Sequence, residues 1–168
     1  MRGLYKLYIM ALTEKQLERQ ILDNFAAVAE TIGYSPLHGK IIGVLLIKDK
    51  PISLNELAKE TGYSASMISL SLDFLEVMEV VKKVKKTGDR KLYVKLNGDL
   101  LNILKKAIVT RVKKTLSESL VEFGEDRSRL DDLNPEERKR IKKTLDTLET
   151  EIKRLDYYVN MLTQIELP

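Results

Sequence analysis

Seven basic residues fall between Glu79 and Lys95: Lys82, Lys83, Lys85, Lys86, Arg90, Lys91 and Lys95. With Glu79 and Asp89 as the only acids, this window carries +5, more than the +4 of the whole 168-residue chain. The remainder is close to neutral. Charge so concentrated suits a polyanion, and a nucleic-acid phosphate backbone is the commonest one. Lysines that guard an edge strand against aggregation are the alternative. That alternative accounts less well for Gly88-Asp89-Arg90-Lys91 at the tip. A charge-assisted bond from Asp89 can orient Arg90, and a fixed arginine suits a narrow, electronegative minor groove.

The elements that would position this hairpin lie just before it, in PISLNELAKETGYSASMISLSLDFLEVMEVV, residues 51–81. Leu54, Leu57 and Ala58 line one face of a short helix. Ile68, Leu72 and Leu75 line one face of a second, from Ser64 to Met78. Two helices crossing steeply on a short turn need a small residue at the crossing, which Ala58 supplies. The turn needs a residue that tolerates φ > 0, and Gly62 does so without steric cost. Ser53 and Glu56 form a capping box for the first helix, and Ser64 is an N-cap for the second. Opposite its apolar face the second helix carries Ala65, Ser66, Ser69 and Leu70, with Asp73 further along. Taken alone, the pair also fits an ordinary αα-hairpin. Followed by KKVKKTGDRKLYVKL, two short strands around Thr87-Gly88-Asp89, it reads as a winged helix-turn-helix.

The segments Gly39-Lys-Ile-Ile-Gly43-Val-Leu-Leu, the helix pair and Gly88-Asp89-Arg90-Lys91 together resemble the MarR-type winged-helix regulators, and the first is similar to their GbsR-like branch. The resemblance covers about residues 14 to 124 by motif and the rest by helical layout. It implies a symmetric homodimer that binds pseudo-palindromic double-stranded DNA, usually as a repressor. It also implies a small-molecule effector of unknown identity, held between the DNA-binding lobes and a dimer bundle. The residues assigned to DNA are Ser64, Ala65, Ser66 and Ser69 on the second helix and Lys82, Lys83, Lys85, Lys86, Asp89, Arg90 and Lys91 on the wing. Serines bond bases or phosphates, and Ala65 can touch a thymine methyl. The chain departs from many relatives in having no Lys or Arg from Ser64 to Met78.

The remaining sequence predicts helices. Thr13 and Gln16 cap one from Glu14 to about Ile32, with Leu17, Ile21, Phe25, Val28 and Ile32 as its apolar face. Ser35-Pro36 starts a largely apolar helix to about Lys48, the expected centre of the lobe. Asn97-Gly98 opens a helix to about Phe123, residues 124–132 read as a charged loop, and Asn134-Pro135 starts the last helix. That helix carries Ile141, Leu145, Leu148, Ile152, Leu155, Val159 and Leu162 at alternating spacings of four and three, a heptad seam. Leu101, Leu104, Ile108 and Val112 begin a matching stripe that continues through Leu116, Leu120 and Phe123. Both are assigned to a dimer bundle, with an antiparallel hairpin inside one chain as the alternative. The expected class is mainly α with a small β-hairpin (α+β). Its parts are an N-terminal arm and bundle helix (1–34), a winged domain (35–97) and a C-terminal dimerisation region (98–168).

Other chemistry has little support. There is no cysteine, so no thiolate metal site or disulfide. The single histidine, His38, fits a capping or surface role better than a general base. Asp131-Asp132 sits among Arg127 and Arg129 as a solvated pair. No phosphate-binding glycine loop or nucleophile elbow occurs, so neither an enzyme nor a cofactor is expected. No apolar run approaches the roughly 20 residues of a membrane span. The opening MRGLYKLYIMA lacks a signal-peptide core and reads as a short strand or arm. A cytoplasmic DNA-binding regulator is the expectation. A winged-helix module whose wing meets an acidic protein is the alternative.

Overall fold

The computed structural model describes residues 13–85, 88–89 and 91–166. The chain divides into two compact units at Asp99 and Leu100. The first holds α1 (Glu14–Thr31), α2 (Pro36–Lys48), β1 (Ile52–Ser53), α3 (Leu54–Thr61), α4 (Ala65–Val77), β2 (Val81–Lys85) and β3 (Leu92–Leu96). The second holds α5 (Leu100–Ser128), a short 3-10 turn (Leu130–Asp132) and α6 (Pro135–Gln164). The expected α+β winged helix-turn-helix is observed.

Local chemistry fixes most of the boundaries. Thr13 with Gln16, and Ser53 with Glu56, form complete capping boxes at α1 and α3. Ser35 caps α2 with Pro36 in its first turn, and Asn134 caps α6 through the Glu137 N–H at 3.0 Å. Gly62 ends α3 at φ 77°, and its N–H donates to the Ala58 carbonyl at 3.0 Å. A glycine at this left-handed position pays no Cβ penalty.

The first unit closes around α2. Ile41, Val44, Ile52, Leu57, Ile68, Leu72, Val81 and Val94 are its fully buried large side chains. α1 packs onto α2 through glycines. A Cβ on Gly39 would stand 2.1 Å from the Phe25 carbonyl oxygen, and one on Gly43 would stand 2.8 Å from Leu22 Cδ2. Those two glycines, one helical turn apart, let the helices approach closely. The facing surface of α1 is accordingly Leu22, Ala26 and Ala29. Leu17, Ile21 and Val28, on the apolar face that the sequence assigns to a bundle helix, are exposed in this unit. Gly43 makes room for the Leu22 and Phe25 side chains, and Gly39 lets the two backbones meet at Phe25 and Ala26.

The sheet has three antiparallel strands in the order β1-β3-β2. β1 pairs Ile52 with Val94 and Ser53 with Tyr93, joining the start of the helix pair to the wing. Two residues are too few to show an alternating pattern, and the sequence pattern predicts no strand there.

The second unit is an α5–α6 hairpin. α5 runs to Ser128, straight through Gly124, where a charged loop was expected. A glycine inside a helix costs only about 1 kcal/mol, and Gly124 does not take positive φ. The added turn lets the Arg127 guanidinium reach Asp146 at 2.6 Å and Glu149 at 2.8 Å on α6. The α6 seam divides by heptad phase. Leu145 and Val159 are buried and Ile152 is half-buried. Ile141, Leu148, Leu155 and Leu162 remain exposed. On α5 Leu116 is buried, Leu104 and Val112 are half-buried, and Leu101 and Ile108 are exposed.

Candidate nucleic-acid interface

α4 is held from behind by Ile68, Leu72 and Leu75, each at most 3% exposed. Its N-terminus is fixed by Ser64, whose Oγ accepts from the Met67 N–H at 3.3 Å. The Ser64 and Ser66 hydroxyls lie 3.0 Å apart, so Ser64 is engaged in shaping the helix start. Ala65, Ser66, Ser69, Leu70 and Asp73 are all exposed. The structure thus brings the helix residues assigned to DNA onto one accessible stretch beginning at the helix N-terminus, where recognition helices touch base edges.

Behind α4 lies an aromatic cluster that sequence reasoning missed. His38 stacks on Phe74 at 4.8 Å with the rings 14° apart, and Tyr34 leans on both. His38 is half-buried rather than a surface cap. Its Nδ1 is buried with no hydrogen-bond partner, and desolvation holds the imidazole pKa below its usual value. No spacing rule links residues 34, 38 and 74, so the sequence carries no signal for this contact.

The wing is built in register, with Val81 opposite Leu96, Lys83 opposite Val94 and Lys85 opposite Leu92. Lys82 stands directly opposite Lys95, and both are exposed. Like charges in that relation destabilise a sheet, and an anion laid across them relieves the repulsion. Lys85 and Lys91 are exposed. Lys86 and Arg90 lie outside the described residues.

Two wing residues have work inside the lobe. Lys83 Nζ lies 2.7 Å from Asp73 Oδ1 and 2.6 Å from Glu76 Oε2, both on α4. Strand alternation puts Lys83 on the Val81 and Val94 side of the hairpin, away from Lys82. Hydrogen bonds to Asp73 and then Glu76 hold its ammonium above the ordinary lysine pKa. Lys83 therefore braces the wing to the helix and balances its acids. Asp89 Oδ1 accepts from the Lys91 N–H at 2.9 Å, and Oδ2 accepts from the Tyr93 hydroxyl at 2.7 Å. Asp89 thereby ties the Gly88 turn, at φ 81°, to β3. The bond to Asp89 raises the Tyr93 phenol pKa. Only the four-residue spacing of Asp89 and Tyr93 hints at that tie in the sequence.

Among the described residues no cluster of His, Cys, Asp or Glu suits a metal ion. No described helix is long and apolar enough to cross a membrane.

No family model matches the chain. The chain is similar to the HTH-type transcriptional repressor OpcR of Bacillus subtilis, 22% identical over 154 residues, covering 88% of this chain and 81% of that protein. In structure it is similar to a crystallised transcriptional regulator at 20% identity and a TM-score of 0.59, covering 88% of this chain and 99% of the other. A looser likeness, with a TM-score of 0.42 and 16% identity over 89% of this chain and 95% of the other, is to a single-residue mutant of S. aureus MepR bound to an oligodeoxyribonucleotide. In fold, the chain is a winged helix-turn-helix protein, similar to that crystallised transcriptional regulator.

Proposed function

We propose that this protein is a DNA-binding transcriptional regulator of the cytoplasm, acting as a homodimeric repressor on a pseudo-palindromic operator. The observation that carries this reading is the joint construction of α4 and the wing. A helix with an accessible N-terminal stretch is braced by Lys83 to a hairpin whose outward lysines, Lys82 and Lys95, repel one another. That pair is suited to set α4 in a major groove while the wing lies along phosphates and the neighbouring minor groove. The similarity to a repressor of Bacillus subtilis supports the same reading, as does the resemblance to the GbsR-like branch. Ser64, Ala65, Ser66 and Ser69 take the helix side of the interface. Lys82, Lys85, Lys86, Asp89, Arg90 and Lys91 take the wing side, with Asp89 shaping the tip and Lys83 positioning the whole.

Dimerisation is supported by the half of the α6 seam that the chain leaves uncovered. Ile141, Leu148, Leu155 and Leu162 repeat every seven residues, and each is at least 36% exposed. A heptad stripe of that kind is the surface a second helix covers. Two recognition helices then address half-sites about one DNA turn apart, roughly 34 Å. Release by a small-molecule effector belongs to the same reading, and no residue identifies the ligand.

An electrophoretic shift against the DNA upstream of the protein's own coding sequence tests the proposal, with a random duplex as competitor. Retention that survives the competitor is the expected result. A second reading has one specific observation behind it. α4 exposes Met67, Leu70, Phe74 and Val77 and carries no basic residue, as a helix that docks on a protein would. Absence of any shift at low salt would favour that reading.

A further inference from the structure

We infer that α4 reads thymine methyl groups, so that the preferred half-site centres on T·A pairs and needs no guanine. The inference rests on the DNA-binding reading above and names the class of sequence bound. The outermost line of α4 is Ser66, Leu70, Asp73 and Val77, at spacings of four, three and four residues, and all four are exposed. Guanine is read in the major groove by bidentate Arg or Lys, and adenine by Asn or Gln. The helix sequence ASMISLSLDFLEV contains none of these. Serine hydroxyls at 66 and 69 bond any base edge or a phosphate, so they orient without choosing.

Asp73 is the one outward group able to select cytosine by accepting from its amino group. Lys83 Nζ holds Asp73 Oδ1 at 2.7 Å and Glu76 Oε2 at 2.6 Å, which balances both carboxylates and draws them toward the wing rather than toward a base. That leaves Leu70, which is 73% exposed and lies in the second turn of α4. The C5-methyl of thymine is the apolar feature that an aliphatic side chain can cover in the major groove. Leucine exposed to that degree gains from burial. Val77 is still more exposed, at 83%, but it is the last residue of α4, remote from the end that meets base edges. The charge pattern complements this assignment. The exposed wing lysines supply attraction to any duplex, and the apolar tip of α4 supplies the choice among duplexes.

The test uses the full chain and a duplex pool with a randomised core. Duplexes retained through rounds of binding are sequenced. One is then remade with deoxyuridine for thymidine at the centre of each half-site, a change that removes only the methyl group. The expected enrichment is in T·A pairs at the half-site centres. The uridine duplex should bind roughly fourfold more weakly per half-site, the effect of one buried methyl-sized group. Leu70→Ala should lose the same factor on the thymidine duplex and be indifferent to the uridine exchange. Its circular dichroism and melting temperature should match the parent's, which shows that the fold is intact. Guanine-centred half-sites, or a parent indifferent to uridine, would overturn the inference and leave DNA binding standing. No retention of any duplex at low salt would overturn the DNA reading and this inference together, and would assign the exposed line of α4 to a protein partner.

Discussion

The two units treat their apolar residues in opposite ways. In the first, the eight largest fully buried side chains form one closed core around α2. In the second, none of the described side chains reaches that depth, and whole heptad positions of α6 face outward. A closed core specifies a lobe that folds by itself. An open seam leaves apolar side chains uncovered within its own unit, which the dimer proposed above would cover. The winged lobe closes its own core, and the α5–α6 pair does not.

The sharpest way to break this contrast is at the glycine contact of the lobe. Gly39→Val places side-chain atoms on the Phe25 backbone, and α1 and α2 must part. We expect a loss of about 3 kcal/mol or more, at the severe end of overpacking, measured by urea unfolding. A near-parental midpoint would show that the α1–α2 contact does not hold the lobe together.

The seam offers a paired test of somewhat smaller effect. Leu145→Glu buries a charge inside the hairpin and should destabilise the second unit by several kcal/mol. Leu148→Glu, three residues away on the uncovered half, should leave helix content unchanged and halve the mass measured by light scattering. If the two variants behave alike, the division of the seam into an inner and an outer half is wrong.

The wing gives a third comparison, between two adjacent lysines. Lys82→Gln should lower the log–log salt slope of DNA binding by about 0.9 for each phosphate that is no longer neutralised. Lys83→Gln should leave that slope nearly unchanged and lower the unfolding temperature, because its partners are Asp73 and Glu76 rather than DNA. Equal slope changes at the two positions would remove the bracing role.

Much of the lobe is legible in the sequence because its signals are local. The Ala58–Gly62 pair and the Ser35, Ser53 and Ser64 caps each act within about a turn of helix, and all appear where the sequence predicts them. The features that the sequence hides depend on distant partners. Periodicity gives the apolar face of α1, but nothing in α1 itself says that Gly39 and Gly43 lie opposite Leu22 and Phe25. The reach of α5 past Gly124 depends on Asp146 and Glu149 from another helix. At the candidate site, the exposed serines of α4 follow from periodicity. The diversion of Lys83 to α4 requires knowing which side of the hairpin faces the helix.

A pH series probes the cluster behind α4. The folded state holds His38 below the ordinary imidazole pKa by desolvation, so the unfolded chain takes up a proton first as pH falls. Stability from the neutral ring is therefore complete above about pH 6.5 and is lost as pH falls toward the folded value. We expect the melting temperature to drop between pH 7.5 and 5, and His38→Phe, which keeps the stack, to flatten that drop. An identical slope in the variant would place the pH dependence elsewhere. The smallest expected effect is a gain. Glu79 follows α4 at φ 57°, and Glu79→Gly should add about 1 kcal/mol by relieving the left-handed backbone, read from the denaturation midpoint.

The reading proposed above makes a basic wing and a recognition helix without basic residues together a sequence-specific DNA reader. Fluorescence anisotropy of labelled duplexes tests it most directly, comparing the protein's own upstream sequence with a random sequence across a range of salt. The upstream duplex should bind at least about tenfold more tightly at physiological salt, the order of one thymine methyl contact in each of two half-sites, and both affinities should fall as salt rises. Equal affinity for the two duplexes, or no binding to either at low salt, would contradict it.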